Sequence, residues 1–372
     1  MNTRLKKRFM YFKWDLTGLA KRCDWFINGS QILKSKPLPR TIFLSAFRGQ
    51  AGIQCVHKLL PMLKYPIVLI IASEDYTFPL GIGDKRKNMY CNVQTEIREI
   101  LENPFVLHVF VENLDTTHPK LSPIPLGILK PNTNVLNETF YDTNTNDRDT
   151  LCLVLNRSRN GQGQWADRRK AETLAITEWS DFTRCITEDV THDVFLNELR
   201  RAKFCLCVHG GGYDPCPKMF ECILYGAIPI VQHSPLDAAI AIFPVVFIDD
   251  LTNDALSKEF LIRKWEELKD WYGPYGPRRH EVLHRLTLDY WWSCITSYLP
   301  ERDASGSSMW TTIGREGETV LTGVGSFLRY GILNRWLYVH SDKEFITIDN
   351  KTFGRDPAPG KKKVLERLKI LT

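Results

Sequence analysis

The sequence predicts an α/β fold of two Rossmann-like lobes in succession, followed by a small β module. Strand and helix patterns alternate in two separate runs, a polar segment at 130–150 divides the runs, and short strand-like pieces follow the break at 300–308. A chain of 372 residues also exceeds one ordinary domain. We place the lobes at 1–135 and 150–299 and the module at 309–368.

The first lobe is predicted from alternating strand and helix patterns. The predicted strands are 40–47, 65–73 and 105–113, and the predicted helices are 52–63 and 93–103. The run YPIVLIIAS at 65–73 is apolar at nearly every position, which is typical of a parallel strand buried on both faces. Alternation of this kind predicts a parallel sheet covered by helices.

The second lobe repeats the pattern after the polar segment. Its predicted strands are 150–156, 203–210, 228–232 and 244–250, and its predicted helices are 168–177, 192–202, 219–227, 259–272 and 278–299. The last helix is a candidate for packing back on the first lobe. Two successive lobes of this kind are the layout of GT-B glycosyltransferases, in which ligands bind in the cleft at the carboxyl ends of the strands.

The stretch RRAKFCLCVHGGGYDPCPKMFECILYGAIPIVQ at 200–232 carries the most specific pattern. A strand leads into Gly210, Gly211 and Gly212, and after a turn a helix opens at Lys218. Backbone N–H groups at such a turn and the helix dipole favour a diphosphate. Lys218 adds positive charge there, and Glu221, one turn later, is placed to accept bonds from ribose hydroxyls.

This stretch resembles the donor-binding region of the exostosin-type glycosyltransferases of family 47. Lys218 stands where that pattern has Arg, while Glu221 and Pro229 match its Glu and Pro. The resemblance implies a UDP- or GDP-sugar donor, with Glu221 on the ribose and Lys218 near the phosphates. The longer loop HGGGYDPC departs from the family pattern. The segment at 110–128 is similar to exostosin-like proteins of algae, plants and their large viruses.

A second basic element follows the strand at 150–156. The loop RSRNGQGQWADRR contains Arg157 and Arg159, whose guanidinium groups suit forked hydrogen bonds to a diphosphate. The alternative interpretation is a solvated basic loop.

Inverting sugar transfer needs a base that deprotonates the acceptor hydroxyl, and the first lobe usually supplies it. Glu74 and Asp75 follow the apolar strand at 65–73 and are our first choices for this base. The other candidates are Glu112, Asp115 and His118, and each carboxylate has the alternative role of capping a turn. Arg48 follows the first strand and is a candidate contact for the acceptor or the phosphates.

We expect no required metal ion. The one Asp-x-Asp string, Asp147 to Asp149, lies in the polar linker and not after an apolar strand, and no His, Cys or carboxylate cluster has metal-ligand spacing. The ten cysteines include no CxxC pair, which favours free thiols in a reducing compartment.

Charge and hydropathy limit the partners. A net charge of +6 suits an anionic nucleotide ligand but is too dispersed to predict nucleic-acid binding. No run approaches the roughly 20 apolar residues of a membrane span. We therefore expect a cytoplasmic protein, with the basic, aromatic N-terminus as a candidate for peripheral membrane contact.

The C-terminal segment at 310–363 resembles a short module found in many bacterial secreted or carbohydrate-related proteins. The matching residues are Glu316, Gly317, Arg329, Tyr330, Gly331, Trp336, Phe353, Gly354, Asp356, Pro357 and Gly360. The usual Cys pair of that module is missing. Glycan binding through exposed aromatic faces and a purely structural cap are both open interpretations.

Together these features predict a glycosyltransferase that moves a sugar from a nucleotide-diphosphate donor to a glycan acceptor. The predicted mechanism is inverting and independent of metal. Two alternatives remain open: a non-catalytic sugar- or nucleotide-binding protein on the same scaffold, and a fucosyltransferase-like GT-B enzyme. The oligomeric state is not predicted.

Overall fold

The computed structural model describes most of the chain. The described residues are 18–63, 66–73, 76–85, 88–103, 105–128, 147–157, 163–273, 277–299, 310–324, 326–333, 335–341 and 343–368. The chain divides into two compact units, Met1–Trp292 and Ser293–Thr372. The first unit contains two α/β sheets, and its end at Trp292 lies inside the predicted second lobe at 150–299.

The first lobe is built on a six-stranded sheet. Its strands are β1 (Trp25–Asn28), β2 (Gln31–Lys34), β3 (Thr41–Ser45), β4 (Ile67–Ala72), β5 (Val106–Val111) and β6 (Leu121–Pro123), in the order β2-β1-β3-β4-β5-β6. Its helices are α1 (Leu19–Arg22), α2 (Gly49–Leu59) and α3 (Gln94–Glu102). All neighbouring strands are parallel except the β1–β2 hairpin, which the sequence patterns did not predict.

The second lobe is built on a fully parallel five-stranded sheet. Its strands are β7 (Thr150–Leu155), β8 (Thr183–Ile186), β9 (Ala202–Leu206), β10 (Ile228–Gln232) and β11 (Val246–Ile248), in the order β11-β10-β9-β7-β8. Its helices are α4 (Ala166–Ile176), α5 (His192–Arg201), α6 (Lys218–Tyr225), α7 (Asp237–Ile240), α8 (Lys258–Leu268), α9 (Pro277–Arg285) and α10 (Leu288–Thr296).

The predicted fold class is confirmed, because both sheets are parallel at their centres and carry helices between successive strands. The central strands β9 and β10 are almost completely buried, as their continuous apolar sequences require. Strand β8 escaped prediction because TRCI is short and its exposed and half-buried positions give no continuous apolar run.

The predicted single helix at 278–299 is wrong, because the structure divides it into α9 and α10. Thr287 causes the break: its backbone N–H bonds the His284 carbonyl, and its hydroxyl caps α10 by accepting the Tyr290 N–H at 3.2 Å. Asp289 on α10 pairs with Arg22 of α1, with Nη2 and Oδ1 2.6 Å apart. The start of α10 therefore contacts the first lobe.

The last residues of the polar linker, 147–149, make structural contacts with the second lobe. Arg148 is buried and donates to the Leu199, Ala202 and Tyr225 carbonyls, at the ends of α5 and α6. Its neighbour Asp149 pairs with Arg201. The guanidinium thus satisfies helix-end carbonyls that would otherwise lack partners. The charged linker predicted at 147–149 therefore also contains a buried structural residue, Arg148.

The second unit contains an antiparallel β module. Its strands are β12 (Trp310–Arg315), β13 (Thr319–Leu321), β14 (Phe327–Ile332), β15 (Arg335–His340), β16 (Phe345–Thr347) and β17 (Val364–Leu368), paired as β12-β17-β14-β15 and β13-β16. Gly331 is required where β14 and β15 meet, because a Cβ there would lie 1.9 Å from the Arg335 carbonyl oxygen. This close approach explains the glycine of the module's Tyr-Gly motif.

Motif residues of this module form one internal network. The Tyr330 hydroxyl donates to Glu316 or Asn350, each 3.0 Å away, and its ring stacks on Phe353. Lys363 Nζ pairs with Glu316 and Asp356. These motif residues therefore hold the module together, which favours the structural interpretation over direct glycan contact for them.

The ten cysteines are all free, as predicted, and six of them are buried. None of the described helices is both long and apolar enough to cross a bilayer.

Candidate functional site

Three neighbouring strands of the second sheet end in polar side chains. Asn156 follows β7, His209 lies three residues beyond β9, and Gln232 is the last residue of β10. Because β7, β9 and β10 are adjacent and parallel, these residues share the carboxyl edge of the sheet. Ligands of open α/β sheets bind at this edge. Sequence analysis missed all three residues.

Lys218 is the first residue of α6, as predicted, but its ammonium group is buried. Nζ donates to the Leu155 carbonyl and to Asn156 Oδ1, both at 2.7 Å. A lysine ammonium has three N–H donors, so these two bonds leave capacity for one more acceptor. Lys218 therefore ties the start of α6 to the end of β7 and brings a positive charge to the sheet edge.

Glu221 lies one turn further along α6 and is paired with a residue that sequence analysis missed. Its Oε1 lies 2.8 Å from His192 Nε2 at the start of α5, and its side chain keeps partial exposure. The hydrogen bond to Glu221 raises the pKa of His192. The carboxylate is thus oriented from one side and still has lone pairs for further donors.

The three predicted glycines form a buried turn. Gly210 donates its N–H to the Asp214 carbonyl at 3.0 Å, and the Gly211 carbonyl accepts the Lys85 N–H from the first lobe at 3.0 Å. A Cβ on Gly210 would lie 3.3 Å from the Asp214 carboxylate. The turn therefore serves contact between the lobes, a role that its sequence did not reveal.

Asn113, just after β5 of the first lobe, holds the same turn from the other side. Its Oδ1 accepts the Tyr213 and Asp214 N–H groups at 2.9 and 3.0 Å, and its Nδ2 donates to Asp214 Oδ2 at 3.2 Å. The Tyr213 ring also packs where a side chain on Gly83 would stand. The carboxyl end of β5 and the loop after β9 therefore meet, with the lobes facing each other there.

The predicted phosphate clamp is only partly described. Arg157 has a side chain that is 65% exposed, and its Nε lies 3.8 Å from Asp189 Oδ1. Arg159 lies outside the described residues. Nearby, Lys85 of the first lobe forms an ion pair at 2.5 Å with Asp167 on α4. Arg157 is therefore a solvent-accessible cation close in sequence to the end of β7.

The protonation of His209 follows from its contacts. Its ring lies beside the Gln232 backbone, and Nε2 is buried with no hydrogen-bond partner among the described residues. A neutral imidazole has one N–H donor and one lone-pair nitrogen, so Nε2 offers either a donor or an acceptor. Burial and the nearby charge of Lys85 lower the pKa of His209 to about 4. The ring is therefore neutral at physiological pH.

Asn156 and Gln232 also present buried polar atoms. In the part of the chain that the structure describes, Asn156 Nδ2 and Gln232 Oε1 lack hydrogen-bond partners. The Lys218 ammonium can only donate, so it fixes Asn156 Oδ1 toward itself and leaves Nδ2 as the available donor. The exposed fractions of Asn156, His209 and Gln232 are 7%, 6% and 8%. Burying a polar atom without a partner costs free energy, so these three atoms at one sheet edge are candidates for contact with a ligand.

The first choices for the catalytic base, Glu74 and Asp75, lie outside the described residues. Two of the other candidates bond the backbone. Glu112 accepts the Ser73 N–H at 2.6 Å, and Asp115 accepts the Leu80 and Ile82 N–H groups. Burial raises the pKa of Asp115, although the N–H groups oppose that shift. Both carboxylates therefore already accept backbone hydrogen bonds, which competes with a role as catalytic base.

His118 and Arg48 occupy different surroundings. His118 lines a cavity of about 280 Å³ between α3 and the loop that follows β5, together with Arg98 and Glu102. Its Nδ1 accepts the Lys120 N–H. Arg48 precedes α2 and packs its side chain against Gly29, beyond the end of β1. Arg48 therefore lies at the carboxyl edge of the first sheet, whereas His118 belongs to a pocket beside α3.

Three thiols from two separate segments of the chain come together where α6 meets the end of β9. The sulfur atoms of Cys205, Cys207 and Cys222 lie within 4.8 Å of one another, and all three residues are buried. Spacing in the sequence did not reveal this cluster, which forms because α6 places Cys222 beside the end of β9, with the sulfur atoms of Cys207 and Cys222 3.8 Å apart. Burial raises the pKa of Cys207 and Cys222, which keeps these thiols protonated.

Comparison with known proteins gives distant structural likeness. No protein-family profile matches the chain, and no curated protein does. Spinosyn rhamnosyltransferase SpnG matches at 12% identity and a TM-score of 0.31, over 62% of this chain and 68% of that one. SpnG complexed with thymidine diphosphate matches at 11% identity and a TM-score of 0.31, over 62% of this chain and 69% of that one. The GtfA/B complex matches at 10% identity and a TM-score of 0.32, over 69% of this chain and 57% of that one. The functional assignment therefore depends on the site residues.

Proposed function

We propose that the chain is a glycosyltransferase of the GT-B, exostosin-like type. It would transfer a sugar from a UDP- or GDP-sugar to a glycan acceptor, with inversion and without a required metal ion. One observation carries the proposal: Lys218 and Glu221 stand one turn apart at the start of α6, beside the carboxyl edge of a parallel sheet. A buried cation and an oriented carboxylate at that edge suit a nucleoside diphosphate.

Each donor group has a proposed contact. The ribose hydroxyls donate to Glu221, whose carboxylate His192 already orients. The diphosphate accepts from the remaining Lys218 N–H and from Arg157, with Arg159 as a further cation in the same loop. The N-terminus of α6 adds its dipole. Gly210, Gly211 and Gly212 would contribute by shaping the turn beside the donor, since two of their polar groups bond other parts of the protein.

The chemistry needs one base and a stabilised leaving group. The acceptor hydroxyl oxygen attacks the anomeric carbon, the bond from that carbon to the diphosphate oxygen breaks, and the hydroxyl proton passes to the base. We propose Glu74 or Asp75 as that base. The leaving diphosphate takes the electron pair of the broken bond and is stabilised by Lys218, Arg157 and the α6 dipole.

Metal independence is proposed from the Asp-x-Asp string. Arg148 is committed to helix-end carbonyls, and Asp149 is paired with Arg201. This arrangement serves the start of the second lobe and gives the string no role at the donor edge. Transfer activity that persists after treatment with a chelator would support the proposal, whereas activity restored only by Mg²⁺ or Mn²⁺ would contradict it.

The decisive experiment is a donor panel. UDP and GDP should raise the melting temperature of the wild-type protein, and one of their sugars should be consumed when a glycan acceptor is added. If no nucleoside diphosphate shifts the melting temperature, the proposal fails. Binding without turnover across the panel would favour the non-catalytic alternative, and turnover of GDP-fucose alone would favour a fucosyltransferase-like enzyme.

The base is tested separately with Glu74→Gln and Asp75→Asn. The variant that removes the base should keep wild-type donor affinity and lose at least a hundredfold in kcat. Glu198→Gln is the control, because Glu198 forms a surface ion pair with Arg184 on the second lobe. Full turnover in both test variants would rule out both residues.

A further inference from the structure

We propose that Asn156, His209 and Gln232 form the subsite that holds the hydroxyl groups of the donor's sugar ring. This inference rests on the proposed function and adds the part of the donor that these residues recognise. The three side chains end adjacent strands, are each more than nine-tenths buried, and each present a polar atom without a partner among the described residues.

The chemistry of the three atoms suits hydroxyl groups. Asn156 Nδ2 donates, Gln232 Oε1 accepts, and the His209 ring offers either a donor or an acceptor at Nε2. An ionised phosphate oxygen accepts hydrogen bonds and is repelled by other lone pairs. A hydroxyl group donates to one acceptor and still accepts from a donor such as Asn156 Nδ2. One donor, one acceptor and a ring nitrogen of either kind therefore match neighbouring hydroxyls of a sugar.

The position of Asn156 links this subsite to the phosphates. Asn156 Oδ1 holds Lys218 Nζ at 2.7 Å, while Nδ2 of the same amide is available. One side chain thus contacts the proposed phosphate cation and the proposed sugar subsite. In a nucleotide sugar the ring is bonded directly to the terminal phosphate, so adjacent subsites are what this ligand requires.

The His209 ring is confined by its surroundings. It is buried beside the Gln232 backbone. The ring also meets Tyr213 edge-on, with centroids 6.1 Å apart. A confined ring favours binding of a hydroxyl group, because a freely rotating ring would lose conformational entropy when the ligand binds.

The test compares a nucleotide with its sugar. Binding of UDP, GDP, UDP-glucose and GDP-mannose is measured by calorimetry on the full chain, for wild type, His209→Phe and Gln232→Leu. Each variant should bind UDP and GDP as wild type does and should bind the preferred nucleotide sugar about tenfold more weakly. His108→Phe is the control, since His108 is a buried histidine of the first lobe whose Nε2 is bonded to Ser122.

A second variant distinguishes the loss of a ligand contact from a folding defect. His209→Gln keeps a polar side chain with both a donor and an acceptor, so it should recover part of the sugar affinity that His209→Phe loses. Equal loss of UDP and UDP-glucose affinity, or unchanged affinity for all four probes, would overturn the subsite. If wild type binds neither UDP nor GDP, the proposed function fails instead.

Discussion

Asn113 Oδ1 in the first lobe accepts the backbone N–H of Asp214 in the second lobe at 3.0 Å. The same amide donates to the Asp214 carboxylate at 3.2 Å, and both residues are buried. One asparagine therefore fixes the loop after β9 to the end of β5. Because His209 lies at the start of that loop, the contact between the lobes also determines the position of the proposed sugar subsite.

Asn113→Asp should make stability depend on pH. The new carboxyl would lie beside the Asp214 carboxylate, and like charges raise the folded pKa of such a pair above the unfolded value of about 4. The pair is therefore tolerated below about pH 4, and stability falls as the pH rises through the raised folded pKa. We expect a loss of about 2 kcal/mol at pH 7.5 and a smaller loss at pH 5, measured by urea unfolding.

Asn113→Ala is the matched variant for that measurement. It removes all three hydrogen bonds of the Asn113 amide without adding a charge, so its loss of stability should be similar at both pH values. An Asn113→Asp deficit that is also equal at pH 5 and pH 7.5 would contradict the proximity of the two carboxylates.

Glu221→Ala should abolish selectivity for ribose. A carboxylate that accepts from ribose hydroxyls favours UDP over 2′-deoxyuridine diphosphate by roughly tenfold, and removal of the carboxylate should equalise the two affinities. Calorimetry with both nucleotides gives the ratio. Glu198→Ala serves as control because its carboxylate pairs with Arg184. A ribose preference that survives in Glu221→Ala would remove Glu221 from the ribose site.

Arg157→Ala should weaken nucleoside diphosphate binding about tenfold, and the effect should shrink as salt is raised. The side chain is largely exposed, so its substitution should leave the melting temperature nearly unchanged. Arg263→Ala, at an exposed position of α8, provides a charge-matched control. Equal affinities for Arg157→Ala and Arg263→Ala would show that Arg157 does not contact the phosphates.

His192→Gln should destabilise the protein more at low pH than at high pH. The hydrogen bond to Glu221 raises the folded pKa of His192, so its stabilising contribution is complete below the unfolded value of about 6.5. The contribution is lost as the pH rises through the folded pKa. Urea unfolding at pH 5.5 and pH 8.5 should give a small difference of well under 1 kcal/mol, because the histidine is partly exposed. A larger deficit at pH 8.5 would reverse the expected sign.

Gln232→Leu should stabilise the ligand-free protein while it weakens binding of the nucleotide sugar. The substitution replaces a buried acceptor that lacks a partner among the described residues with an apolar group of similar size. We expect the melting temperature to rise by about 2 °C, measured by calorimetry. A clear decrease would indicate that the Gln232 amide stabilises the fold.

Local sequence was sufficient for the secondary structure that it encodes continuously. The apolar runs of β4, β9 and β10 predict buried parallel strands, and Lys218 and Glu221 are set one turn apart by helix geometry alone. Short elements such as β8 escaped prediction because four partly exposed residues carry too little pattern. Thr287 divided a predicted helix because a capping hydroxyl competes with helix continuation.

The sequence by itself therefore determined the two lobes with their parallel sheets and the Lys218–Glu221 pair at the start of α6. Only the tertiary structure brought together Asn156, His209 and Gln232, because the order of strands in a sheet, and not their order in the chain, decides which strand ends are neighbours. The packing of the lobes likewise determined that Asn113 holds the glycine turn. Local sequence encodes helix spacing and strand burial, whereas contacts between distant segments depend on the packing of the whole unit.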